Sequence, residues 1–366
     1  MNYQLTPTVS MGKEGCVQII NREENKKMAT YGRKYDRLYV AIVTPYKDNT
    51  YEPDEEQLRA FLRLFLQRKY VDAGIGIIIN PEAGEIFYLS REENRRNVEI
   101  TIDEVKGRVP VFAGAIAPST ADTVQVAIDA KEAGADGIFV IPPMGAIDVT
   151  TAWDSFKYPE VWLNLLKALQ KGVGDMPFIC HPTGTQSIRY GEGLPVELAV
   201  RSCKEFKNIV GWKMTYNYTG FRIVSRALRK LNRHVGILGA PAINFHENLA
   251  SDRFDGTVSG SWNYVPELML DHILAWRKGD LKKARRIWDS GLAEIQEYVY
   301  SEFSRLHIRY KTATWLRGFI SNPFMRPPMP KPRREEVQRL REVLSKAGLS
   351  MIGSAKVSKI MAQLEL

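Results

Sequence analysis

From about residue 38 onward the hydrophobic pattern alternates between two periods. Short, nearly continuous apolar runs at 38–43, 74–79, 109–113, 137–141, 178–180, 209–212, 235–238 and 256–258 are each followed by a longer stretch with apolar residues at three- and four-residue spacing. Runs that are apolar on both faces predict strands of a parallel sheet, and the longer period predicts amphipathic helices covering it. The helices are expected at 54–68, 92–105, 120–133, 159–171, 196–206, 220–231, 244–250 and 267–278, the first capped by Asp54 with Leu58, Phe61, Leu62 and Phe65 as its buried stripe. Eight strands alternating with eight helices favour closure into a (β/α)8 TIM barrel over an open doubly wound sheet, which more often has five or six strands.

Past the barrel, 281–300, 304–320 and 333–347 carry helical spacing, and the proline-rich stretch 322–332 predicts a stiff extended connector. Residues 1–36 are polar and unperiodic. The expected organisation is therefore an N-terminal arm (1–36), a barrel (37–280) and a C-terminal helical extension (281–366).

Composition narrows the function classes. With 366 residues, 44% hydrophobic and 25% charged, the chain has material for a sizeable core, and no apolar run approaches the ~18 residues of a membrane helix. The formal charge of +9 is concentrated at the C-terminal end: residues 301–366 hold 13 Lys and Arg against 5 Asp and Glu. That charge lies outside the barrel mouth and lacks interleaved aromatics, so a solvated helical face or subunit contact is expected, not a nucleic-acid surface. Cys16, Cys180 and Cys203 are odd in number and have no zinc-like spacing. Neither a disulfide framework nor a structural metal is expected, and with no secretory or transit pattern in the first residues the expected location is cytoplasmic. Adjacent His246 and Glu247 do not aim at one metal from a helix. There is no Walker loop, dinucleotide fingerprint or nucleophile elbow, and no cofactor is expected.

In a barrel of this kind the chemistry sits at the C-terminal ends of the strands. Lys213 closes the run Asn208-Ile-Val-Gly-Trp-Lys213, where its amine would point into the mouth. Desolvation lowers a lysine pKa and yields the neutral amine that attacks a carbonyl to form a Schiff base. From position alone, a lysine snorkelling from a strand end or paired with a carboxylate is an equal reading.

Several strings, in order and spacing, carry a resemblance: Ala41-Ile-Val-Thr-Pro45, Ala83-Gly-Glu85 with Leu89-Ser90-Arg-Glu-Glu93, Ala113-Gly114, Ala133-Gly-Ala-Asp-Gly137, Ile209-Val-Gly-Trp-Lys213 and Arg326-Pro-Pro-Met-Pro330. Over roughly residues 38 to 348 the chain resembles the dihydrodipicolinate synthase and N-acetylneuraminate lyase family of class I (Schiff-base) aldolases and lyases. The resemblance implies a barrel with a C-terminal helical extension, usually a homotetramer, and a lysine matching Lys213 that condenses with a 2-oxo acid, commonly pyruvate.

The chain also departs from that pattern. The family's proton-relaying tyrosine at the end of the fifth strand is replaced by His181, which either carries protons near neutral pH or is merely hydrogen-bonded at a strand end. The family's hydroxyl-rich carboxylate cradle after the second strand reads Pro81-Glu-Ala-Gly-Glu85. Both hydroxyls are gone and Glu82 brings a negative charge; two carboxylates ~4 Å apart repel by about 1 kcal/mol in water and several times that in a semi-buried site. Either Glu82 turns away and the backbone amides of Ala83 and Gly84 bind the substrate, or the substrate's group there is neutral or cationic and Glu82 acts as a base. The family's aromatic pair after strand four is Pro142-Pro-Met-Gly145, the arginine that steers acidic substrates is replaced near Gln186, and 189–193 resembles a small insertion. By resemblance Val258 and Ser259 would approach the ligand, with Trp262 and Asn263 as pocket walls, although packing alone explains the tryptophan equally well. Tyr46 and the loop Thr215-Tyr-Asn-Tyr218 offer further phenols.

The expected function is a lyase or aldolase in which Lys213 forms a Schiff base with a pyruvate-like 2-oxo acid or related carbonyl compound and a carbon–carbon bond is cleaved or formed. The alternatives are a hydratase-aldolase or dehydratase of the same family, or a noncatalytic, regulatory homologue. The expected partners are a small-molecule carbonyl substrate and further copies of the chain, as a tetramer or dimer.

Overall fold

The computed structural model describes residues 33–48, 50–142 and 153–364. The expected arm, with Cys16, therefore lies almost wholly outside the described residues. The strands are β1 (Leu38–Ala41), β2 (Ile75–Ile79), β3 (Val111–Ala115), β4 (Gly137–Val140), β5 (Phe178–Cys180), β6 (Thr183–Ser187), β7 (Gly191–Gly193), β8 (Ile209–Met214), β9 (Gly236–Gly239) and β10 (Gly256–Ser259). All except β6 and β7 are parallel and close into one eight-stranded barrel, with β1 bonded to both β2 and β10. The chain is thus a (β/α)8 TIM barrel with a C-terminal helical extension. No helix among the described residues is long and apolar enough to cross a membrane.

Local chemistry explains the helices. Asp54 accepts from the backbone N–H of Gln57 at 3.0 Å and starts the helix Glu55–Phe65, which buries Leu58, Phe61, Leu62 and Phe65 against the barrel. Ser90 and Glu93 form a reciprocal capping box at the helix Arg91–Val105. Inside the barrel, Tyr39, Ile78, Phe112, Phe139, Ile179, Leu238 and Val258 pack as one buried cluster. The remaining barrel strand, β8, contributes Gly211 at this level: a Cβ there would lie 2.7 Å from Leu238 Cδ1 and 3.3 Å from Ile179 Cγ1. These residues fill the barrel and form the floor of its mouth.

Three details differ from the sequence pattern. Residues 183–193, read as a loop with an insertion, form the antiparallel β6–β7 hairpin. The helix expected over 281–300 is broken into Leu281–Ile287 and Ala293–Tyr300, because Gly291 takes φ 130°, which side-chain-bearing residues avoid, and Ala347 sits 2.7 Å from where its Cβ would be. Residues 354–361, unassigned from the sequence, form the helix Ser354–Met361, which buries Val357 and Ile360.

The extension is fastened to the barrel by buried charge. Lys311, on the helix Leu306–Leu316, bonds Glu85 at 2.6 Å, and both side chains are 0% exposed. The other Glu85 oxygen accepts from the backbone N–H of Arg326 at 2.7 Å and from Tyr46 Oη at 3.2 Å. Arg326 in turn bonds Glu93 at 2.7 Å. Nearby, Arg305 and Arg309 share Glu336 of the helix Arg334–Lys346. Removing one partner of a buried pair leaves an uncompensated charge, a loss of about 3–5 kcal/mol. Lys311→Met is therefore expected to lower unfolding free energy by about that amount in urea titrations, and adding Glu85→Gln to recover part of the loss. A single-variant change below about 1 kcal/mol would show that the pair is not what fastens the extension.

Candidate active site

The Lys213 amine is aimed by an irregularity in its strand. Ile179 pairs with Gly211 whereas Phe178 pairs with Ile209, so β8 has one extra residue, Val210, at a bulge. Beyond the bulge alternation resumes: Trp212 and Met214 enter the helix-facing core and Lys213 turns inward, one pleat above Gly211. Its Nζ lies 5.3 Å from the centroid of the Phe139 ring, part of the apolar floor.

Two groups from other strands meet it there. His181 follows β5 directly, continues the ladder through its N–H to Val140 O at 2.8 Å, and stacks on Phe139 at 5.5 Å between ring centroids. Glu82 starts the 3₁₀ turn Glu82–Gly84 after β2. Its Oε1 is in short contact with His181 Nδ1 and 4.0 Å from Lys213 Nζ, while Lys213 Nζ lies 3.2 Å from the same Nδ1. Glu82 does not turn away; it points into the mouth.

If Nδ1–H of His181 is directed at Glu82, the lysine nitrogen beside it faces an N–H, which suits a neutral amine with a free lone pair. Burial pushes Lys213 below the ordinary lysine range, opposed by the Glu82 charge. Burial would by itself raise Glu82, but its contacts with His181 and Lys213 outweigh it and hold the carboxylate ionised, well below the usual range. His181 is lowered by its own burial, with Glu82 pulling the other way. One carboxylate thus serves two nitrogen bases in a space shielded from water.

The sequence reading missed a contribution from the extension. The helix Leu306–Leu316 runs along the 82–85 turn: Lys311 reaches Glu85, and His307, one helical turn earlier on the same face, is within electrostatic reach of Glu82, His181 and Lys213. Burial pushes the His307 imidazole down to about 4 and keeps it neutral. Its ring lies 5.7 Å from that of Tyr310, which covers Gly260. Tyr310 Oη bonds Tyr300 Oη at 2.5 Å, and Tyr300 reaches Ser259 Oγ at 3.4 Å and Ser261 Oγ at 3.3 Å beyond the end of β10. The spacing of His307, Tyr310 and Lys311 marks one helical face, but nothing local says what that face meets.

Several expected site residues have other work. The Gly84 N–H donates to Pro81 O at 3.0 Å and its carbonyl accepts from Thr44 at 2.6 Å, so that amide is committed, and Ala83 packs in the helix-facing core. Val258 belongs to the interior floor, and Ser259 lies at the rim with its Oγ accepting from the Ser261 N–H at 3.2 Å. Trp262 is not a pocket wall: it is 0% exposed in the helix-facing core and its indole N–H donates to Thr257 at 2.8 Å. The 3₁₀ turn Gly260–Asn263 carries it off the strand's inward face. Asn263 likewise ties Val43 N and Ala41 O. Tyr46 is committed to Glu85, Tyr216 accepts from the Trp212 indole, and Tyr218 is exposed under Arg222. Pro143, Met144 and Gly145 lie outside the described residues.

Groups of metal-ligating type occur away from the mouth. At the opposite end of the barrel Asp36 bonds His234 at 2.9 Å beside Asp255, but both Asp255 oxygens are taken, by Arg229 and by the Ile237 N–H. His246 and His272 are 3.0 Å apart and packed against Trp276 and Trp288, with the Trp276 indole N–H donating to His272 at 3.3 Å, which makes them hydrogen-bonded aromatic packing. His246 and Glu247 are not brought together as ligands.

The order of these elements can now be set beside known proteins. The model of the Dihydrodipicolinate synthetase family matches residues 34–145 and 186–347, which leaves out the stretch containing His181. The chain is 28% identical over 319 residues to the 4-hydroxy-tetrahydrodipicolinate synthase of Methanopyrus kandleri, covering 87% of this chain and 98% of the relative. It is 30% identical to that of Nitratidesulfovibrio vulgaris, covering 86% and 99%. Among solved structures, dihydrodipicolinate synthase from Thermotoga maritima superposes with a TM-score of 0.73 at 22% identity, over 87% of this chain and all of that one. The enzyme from Aquifex aeolicus gives 0.72 at 24% identity, over 87% and 99%. With the family pattern matched on both sides of a rebuilt fifth-strand loop, the chain belongs to the dihydrodipicolinate synthetase family, as a divergent member.

Proposed function

We propose that the protein is a cytoplasmic, homo-oligomeric lyase of the aldolase type in which Lys213 forms a Schiff base with a small carbonyl substrate. The carrying observation is a shielded lysine amine 3.2 Å from a histidine that is itself in contact with a partly buried carboxylate, all at the C-terminal ends of barrel strands. Lys213 Nζ adds to the carbonyl carbon, the oxygen takes one proton from the protonated His181 and one from the attacking nitrogen, and it leaves as water to give the iminium. For cleavage, the His181–Glu82 pair removes the proton of a hydroxyl on the β-carbon, two carbons from the iminium carbon. The carbon–carbon bond breaks, its electrons enter the iminium to form an enamine, and the leaving fragment departs as a carbonyl compound. Reversal of these steps forms the bond.

The noncatalytic alternative is disfavoured by the energetics of the mouth. Keeping Glu82, His181 and Lys213 out of water opposes folding, and an apolar set of similar volume would fill the same space more stably. Such a cluster is expected where ionisable groups are needed for chemistry.

Treatment with carbonyl substrate and cyanoborohydride is expected to add the reduced adduct mass to one peptide, the one containing Lys213, and Lys213→Ala to abolish both labelling and turnover. Unchanged turnover in that variant would sink the mechanism. His181→Ala is expected to lower kcat by about 10²–10⁴ with Lys213 still labelled, as loss of a proton carrier requires. The labelling rate should rise with pH as the free amine forms, with its midpoint below the ordinary lysine range. Glu82→Gln removes the charge that raises Lys213 and should move the midpoint lower still. A midpoint at the value of a free lysine, or a shift upward in Glu82→Gln, would contradict this account.

A further inference from the structure

The Schiff base that carries the reaction is the protonated imine, so turnover in this mouth places a positive charge on the lysine nitrogen. A buried iminium needs an anion beside it, and a 2-oxo acid brings one: the carboxylate on the carbon next to the carbonyl. Here that counter-charge already belongs to the protein. Glu82 Oε1 lies 4.0 Å from Lys213 Nζ, its side chain is 16% exposed, and it is held in place by His181. A second carboxylate on the substrate would face Glu82 across a distance at which two shielded anions repel strongly.

Among the described residues, the cationic and hydroxyl groups on the Glu82 wall that would offset a second anion are engaged elsewhere. Lys311 is committed to Glu85 and Arg326 to Glu93, on the same wall of the mouth. The Gly84 N–H is bonded to Pro81, the Thr44 hydroxyl to Gly84 O, and positions 82 and 83 carry no hydroxyl. His307, from the extension, is kept neutral by burial. Across the mouth, the Ser261 hydroxyl is shared among Tyr264, Gln296 and Tyr300, a neutral set.

We infer that the carbonyl substrate of this protein lacks a carboxylate beside its carbonyl group: it is an aldehyde, a simple ketone or a neutral 2-oxo derivative, with Glu82 as the counter-ion of the iminium. The inference rests on the Schiff-base reading above and adds the substrate class to it. The condensation balances as before: the amine nitrogen bonds to the carbonyl carbon, the oxygen leaves as water, and Glu82 stays ionised against the iminium.

The test compares pyruvate with pyruvamide, which differ at that group alone in charge, by cyanoborohydride trapping on the full chain with peptide mapping. Each rate is divided by the rate of the same probe on free Nα-acetyl-lysine, which removes intrinsic electrophilicity. Wild-type protein is expected to label at Lys213 at least tenfold faster with pyruvamide than with pyruvate, and Glu82→Gln to narrow that ratio to about threefold or less by raising the pyruvate rate. Equal or faster labelling by pyruvate in the wild type overturns the inference and leaves the Schiff base standing. A ratio that survives Glu82→Gln also overturns it, because the discrimination would then come from another group. If neither probe, nor acetaldehyde, labels Lys213, the Schiff-base reading falls and takes this inference with it. The wild-type comparison stands whether or not the variant folds.

Discussion

Glu85 is a buried carboxylate that three stretches of chain share at one corner of the barrel mouth. It receives the Lys311 ammonium from the extension, the Arg326 backbone N–H from the proline-rich connector and the Tyr46 hydroxyl from the loop after β1. It does so at φ 63°, a left-handed conformation that a residue with a side chain adopts only when its surroundings over-determine it. Isolated, a charged group buried there would be strongly unfavourable and would swing out to water. Bonded on every side, it locks the turn that begins at Glu82, and the direction of that turn sets which way Glu82 points. The same bond holds the helix Leu306–Leu316 across the mouth and so brings in His307 and Tyr310. Position of the extension and polarity of the site are two results of one ion pair.

The two carboxylates three residues apart have opposite uses. Glu85 is saturated with donors and sealed, and its charge is spent on holding the fold. Glu82 has one short partner, His181, and one base further off, Lys213, so its fixed negative charge stays available to whichever of the two carries a proton. Proton movement requires groups whose stabilisation is incomplete in any single protonation state. The apolar floor made by Phe139 and its neighbours strengthens that effect by keeping water from screening the three groups.

Much of this was legible in the chain. The alternation of periods two and 3.6 located the strands and helices, because burial of strands on both faces and of helices on one leaves a local imprint. The motif strings did more than suggest a family: Glu85, Glu93 and Arg326 turn out to be members of a single network, although they lie far apart in sequence. Replacement of the family tyrosine by His181 and the gain of Glu82 were visible as substitutions, and the structure brings both to Lys213. Trp262 was misread because a strand's alternation stops being informative once the chain enters a 3₁₀ turn, where the next residue can leave the inward face. The Gly84 amide was misread because its partner, Pro81, becomes available only when the turn closes.

Sequence by itself determined the barrel, the place of a lysine at the end of a strand and the loss of the hydroxyl cradle, since each depends on residues near one another in the chain. Tertiary structure alone decided which way Glu82 faces and that a histidine from the extension borders the site. Lys311 and Glu85 are 226 positions apart, and no local pattern records their meeting. The helix that carries His307 is buried almost all round, so it has no polar stripe from which an inner and an outer face could be told apart. Its orientation comes from where a compatible buried carboxylate waits on the mouth, and that is a property of the folded barrel.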